Sequence, residues 1–476
     1  MNTSTIIGIV TYEEQKIRLR AQLENEFARE NNLDSILLDA AAEKIMARGF
    51  NKEFYRGEGR TTLSFSSPLN DIDSKTKCKA LLKGFGISIF TILLIVKSRK
   101  KVSSSMPLGL IYAIPSQYYE SYHKRNKLKH FLDSTLINSG TEPPSQYLLQ
   151  SGTVGKFNKD KSVEVVTHIS SKILSSWAPS KTKTIYEIIT RTLAWLKISI
   201  SHPSFFLIGS EYIVDILAIE IMKQQEFVLI TTQSQMLSPP LLFKSGIHAS
   251  RFMYWYSDNS IQISKKISIP RDYSYLRQDD IDTHFVWTNS WASVLSNFNE
   301  SSLIIPVGPV LFEPLGKKRD FSQLTTTRNH PKKILIFDVT PKEAADPSSY
   351  YSERIMISFI ADIVEAVTDI CPNFTIRLKP KRKYSKSDSI VYRNYLTSKI
   401  GLIELLKFSA DIQQEILNCD LVICVPFTSP GLVAASLGVP TIYYSASQDF
   451  DLNHESIKII SGKESLKGFL LQEFSD

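Results

Sequence analysis

Cysteine is scarce in this sequence and nowhere closely paired: Cys78, Cys371, Cys419 and Cys424 are the whole complement, and no two stand in a C-x-x-C spacing. That excludes a disulfide scaffold and reads as four free thiols in a reducing compartment. His168, His284 and His330 fall in no metal-ligand spacing, so no metal site is expected. A G-x-x-x-x-G-K-[S/T] string is also missing, which argues against a P-loop ATPase or kinase. No internal repeat is evident. The amino terminus offers only residues 6–10 as an apolar run, with no basic region before it, so it does not read as a secretory signal. A cytoplasmic protein is the expectation.

What is present suits a folded chain of two domains. The 476 residues exceed one ordinary domain, and 43% hydrophobic and 22% charged residues, with 20 Tyr and 25 Phe, argue against disorder. The net charge of +8 favours anionic surroundings without choosing among nucleotide, nucleic acid and lipid headgroup. Basic and aromatic residues mix over 118–130, but as a helix this is an ordinary solvated face, and no nucleic-acid partner is expected.

One segment stands apart. Residues 87–96 (I-S-I-F-T-I-L-L-I-V) are nearly all apolar, and Lys97, Arg99, Lys100 and Lys101 follow at once. The run reads as too short to cross a bilayer, which takes about 20 residues. It reads either as a buried strand or core helix, or as an apolar face that docks on the anionic inner membrane through residues 87–101.

Along the chain, residues 12–46 are helical in pattern and 51–76 lack periodicity, so 1–76 reads as a helical amino-terminal extension with a linker. From 77 to 311 short apolar runs alternate with helical patterns, including expected strands at 205–209, 227–231, 253–256 and 284–287. Residues 312–333 are polar and basic and read as an interdomain linker. From 334 to 476 the alternation resumes, with strands at 334–337, 374–380, 421–425 and 441–444. Strands alternating with helices imply parallel sheets, hence an α/β fold of two Rossmann-like domains with a cleft between them.

The strongest local signal runs from Asp420 to Tyr444, D-L-V-I-C-V-P-F-T-S-P-G-L-V-A-A-S-L-G-V-P-T-I-Y-Y. Its β-branched strand suits burial on both faces of a parallel sheet. Ser429 reads as the N-cap, Pro430 as the first helical residue, and Gly431 as a position where a ligand approaches the backbone without meeting a Cβ. Such a helix start attracts anions, and the hydroxyls of Thr428 and Ser429 add two donors, so a phosphate fits there. In F-T-I-R-L-K-P-K-R-K, strand periodicity puts Arg377, Lys379 and Lys381 on one cationic face, beside Pro380. Asp338 follows the first strand of this domain and reads as a ribose contact or a turn cap. Across the cleft, Glu211 and Asp258 follow expected strands and are placed for general-base work.

These residues resemble the polysaccharide-biosynthesis proteins named for their PFTS motif, matched in full by Pro426, Phe427, Thr428 and Ser429. The two-domain layout from roughly residue 108 onward looks like the GT-B glycosyltransferases. In that fold, transferases using CMP-activated acidic sugars carry a His-Pro pair and a Ser-Ser or Ser-Thr pair, and Lys379-Pro380 and Thr428-Ser429 stand in similar places. Lysine for histidine is a departure. The resemblance implies a metal-independent glycosyltransferase with no cofactor, moving a sugar from a nucleotide (CMP first, UDP or GDP as alternatives) to a hydroxyl of a bacterial surface polysaccharide or lipopolysaccharide. A nucleotide-sugar epimerase of the same fold and a non-catalytic membrane-docked assembly component are the rival expectations.

Overall fold

A computed structural model describes residues 74–98, 108–151, 162–255, 280–316, 332–341 and 352–474, with short breaks, together with Arg20, Ala21, Ala42 and Gln278. Apart from Arg20, Ala21 and Ala42, the expected helices over 12–46 lie outside these residues, as do the linker over 317–331 and Asp258, Lys381, Phe427, His330, Arg99, Lys100 and Lys101. The chain divides into two compact units. One holds Met1–Tyr256, Ile267–Phe285 and Ala292–Ile305, and the other Ser257–Lys266, Val286–Trp291 and Pro306–Asp476. The dividing point near 305 precedes the expected linker at 312.

The first unit carries a seven-stranded parallel sheet in the order β3-β2-β1-β4-β5-β6-β7. Its strands are β1 (Leu108–Ile111), β2 (Gln146–Gln150), β3 (Val163–Val166), β4 (Phe227–Gln233), β5 (Ala249–Trp255), β6 (Thr283–Val286) and β7 (Leu303–Pro306). The helices around it include α1 (Ser74–Lys97), α2 (Tyr122–Asn138), α3 (Ile169–Trp177), α4 (Lys181–Ser201) and α5 (Ile216–Met222). Phe252 stacks on Phe285 at 5.8 Å between neighbouring strands, and Tyr254 lies 4.6 Å from the same ring.

Two expectations are corrected here. Residues 205–209 do not form a strand: Pro203–Ile208 is a 3-10 helix. The indole of Trp195 donates to the Phe205 carbonyl at 2.8 Å and covers Gly209, so this apolar run is buried against α4. A short apolar run is ambiguous between the two states, and tertiary packing decided it. The second correction concerns residues 87–96, which are the end of α1, a helix of 24 residues. The element is longer than the run: by length and composition α1 as a whole is long enough to cross a membrane, although its uncharged stretch between Lys83 and Lys97 is only 13 residues.

The second unit repeats the pattern with six parallel strands in the order β10-β9-β8-β11-β12-β13. These are β8 (Lys333–Phe337), β9 (Thr375–Lys379), β10 (Ile403–Leu405), β11 (Leu421–Cys424), β12 (Thr441–Ser445) and β13 (Lys458–Ser461). The helices include α6 (Glu353–Ile370), α7 (Ile390–Ser398), α8 (Ile412–Leu417), α9 (Ser429–Ser436) and α10 (Lys463–Phe474). Every residue of β11 is buried, as a central parallel strand covered on both faces requires. Met356, Phe359, Ile360, Ile363 and Val367 of α6 recur at helical spacing and pack with Ile334, Ile336 and Leu421 into one core. Two parallel sheets with helices bear out the α/β expectation.

Candidate functional site

In an open parallel sheet the first strand feeds connections to both sides, and the loops at its carboxyl end diverge there to leave a crevice. In the second unit that strand is β8, flanked by β9 and β11. Pairing registers set Lys379 beside Phe337, Phe337 beside Cys424, and Cys424 beside Tyr443. The ends of β9, β8 and β11 are therefore level, with strands about 4.8 Å apart, and β12 runs two residues further. The residues that follow them emerge at one sheet edge: Asp338 after β8, Pro380 after β9, and Thr428-Ser429 after β11.

Asp338 is buried, accepting from the Tyr392 hydroxyl at 2.9 Å and from Thr340 at 3.5 Å. Tyr392 is fixed by the start of α7, where its N–H donates to the Ser389 hydroxyl at 3.0 Å. Burial, and then the Asp338 charge, push the Tyr392 phenol well above its ordinary range, so it stays a proton donor to the carboxylate. Tyr384 is pushed up by the same two causes in the same order. Sequence reading missed both tyrosines, because nothing in their spacing links 384 and 392 to 338.

Lys379 is 3% exposed and donates to the Phe408 carbonyl at 2.9 Å. Burial draws its ammonium below the usual lysine range, while Asp338, Glu415 and Asp411 oppose that fall. Pro380 beside it is buried. Arg377 departs from the expected anion-binding face. Its guanidinium donates to Glu404 at 3.1 and 3.3 Å and to Glu415 at 2.6 Å, so its charge is met within the protein. Burial pulls its pKa down, but the bonds to Glu404 and Glu415 outweigh that and leave it raised. The acids that neutralise it lie 27 and 38 residues on, beyond the reach of a strand-face argument.

At the β11 end the N-cap of α9 is Thr428, not Ser429, which is the first helical residue and is followed by Pro430. The Thr428 hydroxyl donates back to the Val425 carbonyl at 2.8 Å and makes no capping bond to the helix. Gly431 serves packing rather than ligand approach: a Cβ there would lie 2.5 Å from the Tyr443 ring. The Tyr443 hydroxyl in turn donates to the Thr428 carbonyl at 3.1 Å, pinning the helix start to β12. Ser429 and Thr428 remain partly exposed at that start.

In the first unit, Glu211 is described but does not follow a strand. It opens a π-helical turn, Glu211–Asp215, and accepts from the Ser210 hydroxyl at 2.9 Å. Asp258 lies outside the described residues. Two other features escaped the sequence. His168 caps α3, accepting the Ser171 N–H at 3.3 Å through Nδ1, while Nε2 stands 3.7 Å from Asp215. Ala113, just past β1 at this sheet's own switch point, has φ of 60° and gives its carbonyl to Thr232 at 2.7 Å. Among the described residues no group of three or more His, Cys, Asp or Glu is placed to hold a metal.

The second unit is thus an open parallel α/β domain with a buried carboxylate, a buried ammonium and a hydroxyl-bearing helix start around its switch point. The sequence model of the family described as polysaccharide biosynthesis PFTS motif protein matches residues 196–470, and the chain belongs to that family. No curated protein matches. Among solved structures, the wall teichoic acid polymerase TagF is 11% identical, with a TM-score of 0.41 over 84% of this chain and 88% of that one. OtsA is 10% identical, with a TM-score of 0.40 over 76% and 90%. A UDP-glucosyltransferase from Polygonum tinctorium is 10% identical, with a TM-score of 0.37 over 78% and 84%.

Proposed function

We propose that this protein is a GT-B-type glycosyltransferase that moves a sugar from a nucleotide donor to a hydroxyl of a bacterial surface polysaccharide. The observation that carries the reading is the level set of strand ends that brings Asp338, Lys379 and Thr428-Ser429 to one edge of the second sheet. As the bond from the sugar carbon to the phosphate oxygen breaks, negative charge grows on the departing phosphate. The N–H groups of the first turn of α9 and the Ser429 hydroxyl meet that charge, the Thr428 hydroxyl joins them by turning from the Val425 carbonyl, and the buried Lys379 adds its field. Asp338, held by Tyr392, takes a ribose hydroxyl. A CMP-sugar is the first candidate donor, and UDP- and GDP-sugars follow. No cofactor or metal enters this scheme, and the four free cysteines suit the cytoplasm, where the donor would be met.

The acceptor hydroxyl needs a base, and Asp258 is the stronger of the two acids proposed for it. Glu211 loses its strand-end argument with the strand itself, whereas β5 does end at Trp255, three residues before Asp258. Asp258→Asn should abolish turnover, and Glu211→Gln should keep it within a few-fold; the reverse result would reassign the base.

The deciding assay offers radiolabelled CMP-, UDP- and GDP-sugars with and without glycan acceptor, in EDTA. Acceptor-dependent release of free nucleotide is expected. Isomer formation without acceptor would replace this reading with an epimerase, and a need for added metal would remove the metal-independent scheme. In the same assay Thr428→Ala with Ser429→Ala should cost on the order of 100-fold in turnover. The melting temperature should move only a few degrees, because about 1 kcal/mol goes with the bond from the Thr428 hydroxyl to the Val425 carbonyl.

A further inference from the structure

A helix of a water-soluble domain hides its apolar side chains and shows its polar ones, and α1 does the reverse. Its buried positions are Gly84, Ser88, Thr91 and Ile95, while Leu82, Phe85, Ile89, Leu93 and Val96 are exposed, Leu82 to 69%. At 100° per residue these five fall within an arc of about 80°. The neighbouring α4 does so in part, burying hydroxyls alongside Ile188, Trp195 and Ile198. Thr184, Thr192 and Ser199 are buried among its apolar residues, while Tyr186, Ile189, Leu193 and Ile200 are exposed within a similar arc, Ile200 to 75%.

The polar faces meet each other. The Ser88 and Thr192 hydroxyls share a hydrogen bond at 2.9 Å, and Thr91 and Ser171 of α3 share one at 2.6 Å. Thr91 also donates back to the Ile87 carbonyl at 2.7 Å, and whichever of Ser88 and Thr192 accepts in their shared bond keeps its own proton for the carbonyl one turn earlier, Gly84 at 2.9 Å or Ile188 at 2.7 Å. Gly84 lets the Trp195 ring come so near that a Cβ would sit 2.4 Å from it. Lys181 donates to the Ser98 carbonyl, so the end of α1 meets the start of α4 and the two helices run antiparallel. Small and hydroxyl residues between helices, with large apolar residues outward, is the arrangement of helices whose outer solvent is lipid.

Charge selects the occupant. The α1 helix carries Lys75, Lys77, Lys79, Lys83 and Lys97 and no acid. On α4, Lys181, Lys183 and Lys197 are exposed, with Glu187 the lone acid, 3.9 Å from Lys183. A second copy of this face would meet like charge, whereas an anionic headgroup layer would meet its complement. The apolar stretch between Lys83 and Lys97 is 13 residues, about 20 Å of helix, against about 30 Å for a hydrocarbon core. It suits lying in the interface better than crossing it.

We propose that α1 and α4 together form a face that seats the protein on an anionic lipid surface, with the two exposed apolar stripes in the headgroup boundary and the lysines on the phosphates. This goes beyond the transfer reaction and does not depend on it, since binding is read without any sugar donor. The test is flotation of the full chain with phosphatidylcholine vesicles, with and without phosphatidylglycerol. The chain should float with the anionic vesicles, and Lys75→Gln, Lys79→Gln and Lys97→Gln combined should weaken that binding on the order of 100-fold. The exposed set Ile89→Ser, Leu93→Ser, Ile189→Ser and Leu193→Ser should abolish flotation with an unchanged melting temperature. Flotation unaffected by the serine set would overturn the proposal. So would a dimer in sedimentation that the serine set dissociates, which would make this a contact between copies, and so would resistance to carbonate washing, which would mean that α1 crosses the bilayer.

Discussion

Two long helices of this protein, α1 and α6, are both rich in apolar residues and spend them in opposite ways. The α6 helix buries Met356, Phe359, Ile360, Ile363 and Val367 against its own sheet. The α1 helix buries glycine, serine and threonine with Ile95 alone of its large apolar residues, and leaves Leu82, Phe85, Ile89, Leu93 and Val96 outside. The difference teaches that apolar content does not fix which face of a helix is inside. The decision rests on what the neighbouring elements offer. For α6 that is an apolar sheet. For α1 it is α3 and α4, which present hydroxyls and a tryptophan ring that demands a glycine.

The comparison can be broken most sharply by the same kind of truncation in each helix. Ile363→Ala in α6 empties a core position and should cost about 2–5 kcal/mol in a denaturant melt. Leu93→Ala in α1 should stay within about 0.5 kcal/mol, because its side chain already faces outward. Equal losses would mean that the outer stripe is covered. Next in size is Gly84→Ala, which drives a methyl into the Trp195 ring and should destabilise the first unit by about 1–3 kcal/mol, whereas Gly86→Ala, with open space around it, should not.

The first unit buries a polar group in its sheet as well as between its helices. His284 is fully buried and accepts the Trp255 indole N–H at 3.1 Å, and burial pushes its pKa down to about 3. A base whose pKa is lowered by folding binds its proton more readily in the unfolded chain. Its contribution to stability is complete above the unfolded value of about 6.5 and is lost as the pH falls toward 3, by about 1.4 kcal/mol per pH unit. Wild-type melting should therefore drop below pH 6.5, and His284→Gln should flatten that slope. A loss of about 1 kcal/mol belongs to the second unit: Arg377→Met should cost that much stability and leave the donor KM unchanged, because Arg377 serves Glu404 and Glu415 rather than a ligand.

Much of the second unit was legible in its sequence. Strands at 334–337, 374–380, 421–425 and 441–444 coincide with β8, β9, β11 and β12 within a residue or two, because each is a β-branched run bounded by a turn residue. The position of Thr428-Ser429 at a strand end followed from the same run, but the choice of Thr428 as N-cap did not. Two hydroxyl residues in succession both qualify, and backbone dihedrals decide between them. Lys379 and Asp338 were readable as residues near strand ends. Their burial, and the tyrosines around Asp338, depended on α7 folding back over β8, which no local pattern encodes. β13 escaped because K-I-I-S is too short to show a period.

The sequence by itself determined the α/β class, the two parallel sheets' worth of strands and the location of the P-F-T-S-P-G turn, since these rest on periodicity and turn chemistry within a few residues. Only the tertiary structure decided the strand order that makes β8 a switch point, the pairing that occupies Arg377, the helical fate of residues 203–208 and the outward apolar stripes of α1 and α4. Those depend on groups from ten residues apart, as with Trp195 and Phe205, to more than a hundred, as with Ser88 and Thr192, and contact between such groups is a property of the folded chain alone.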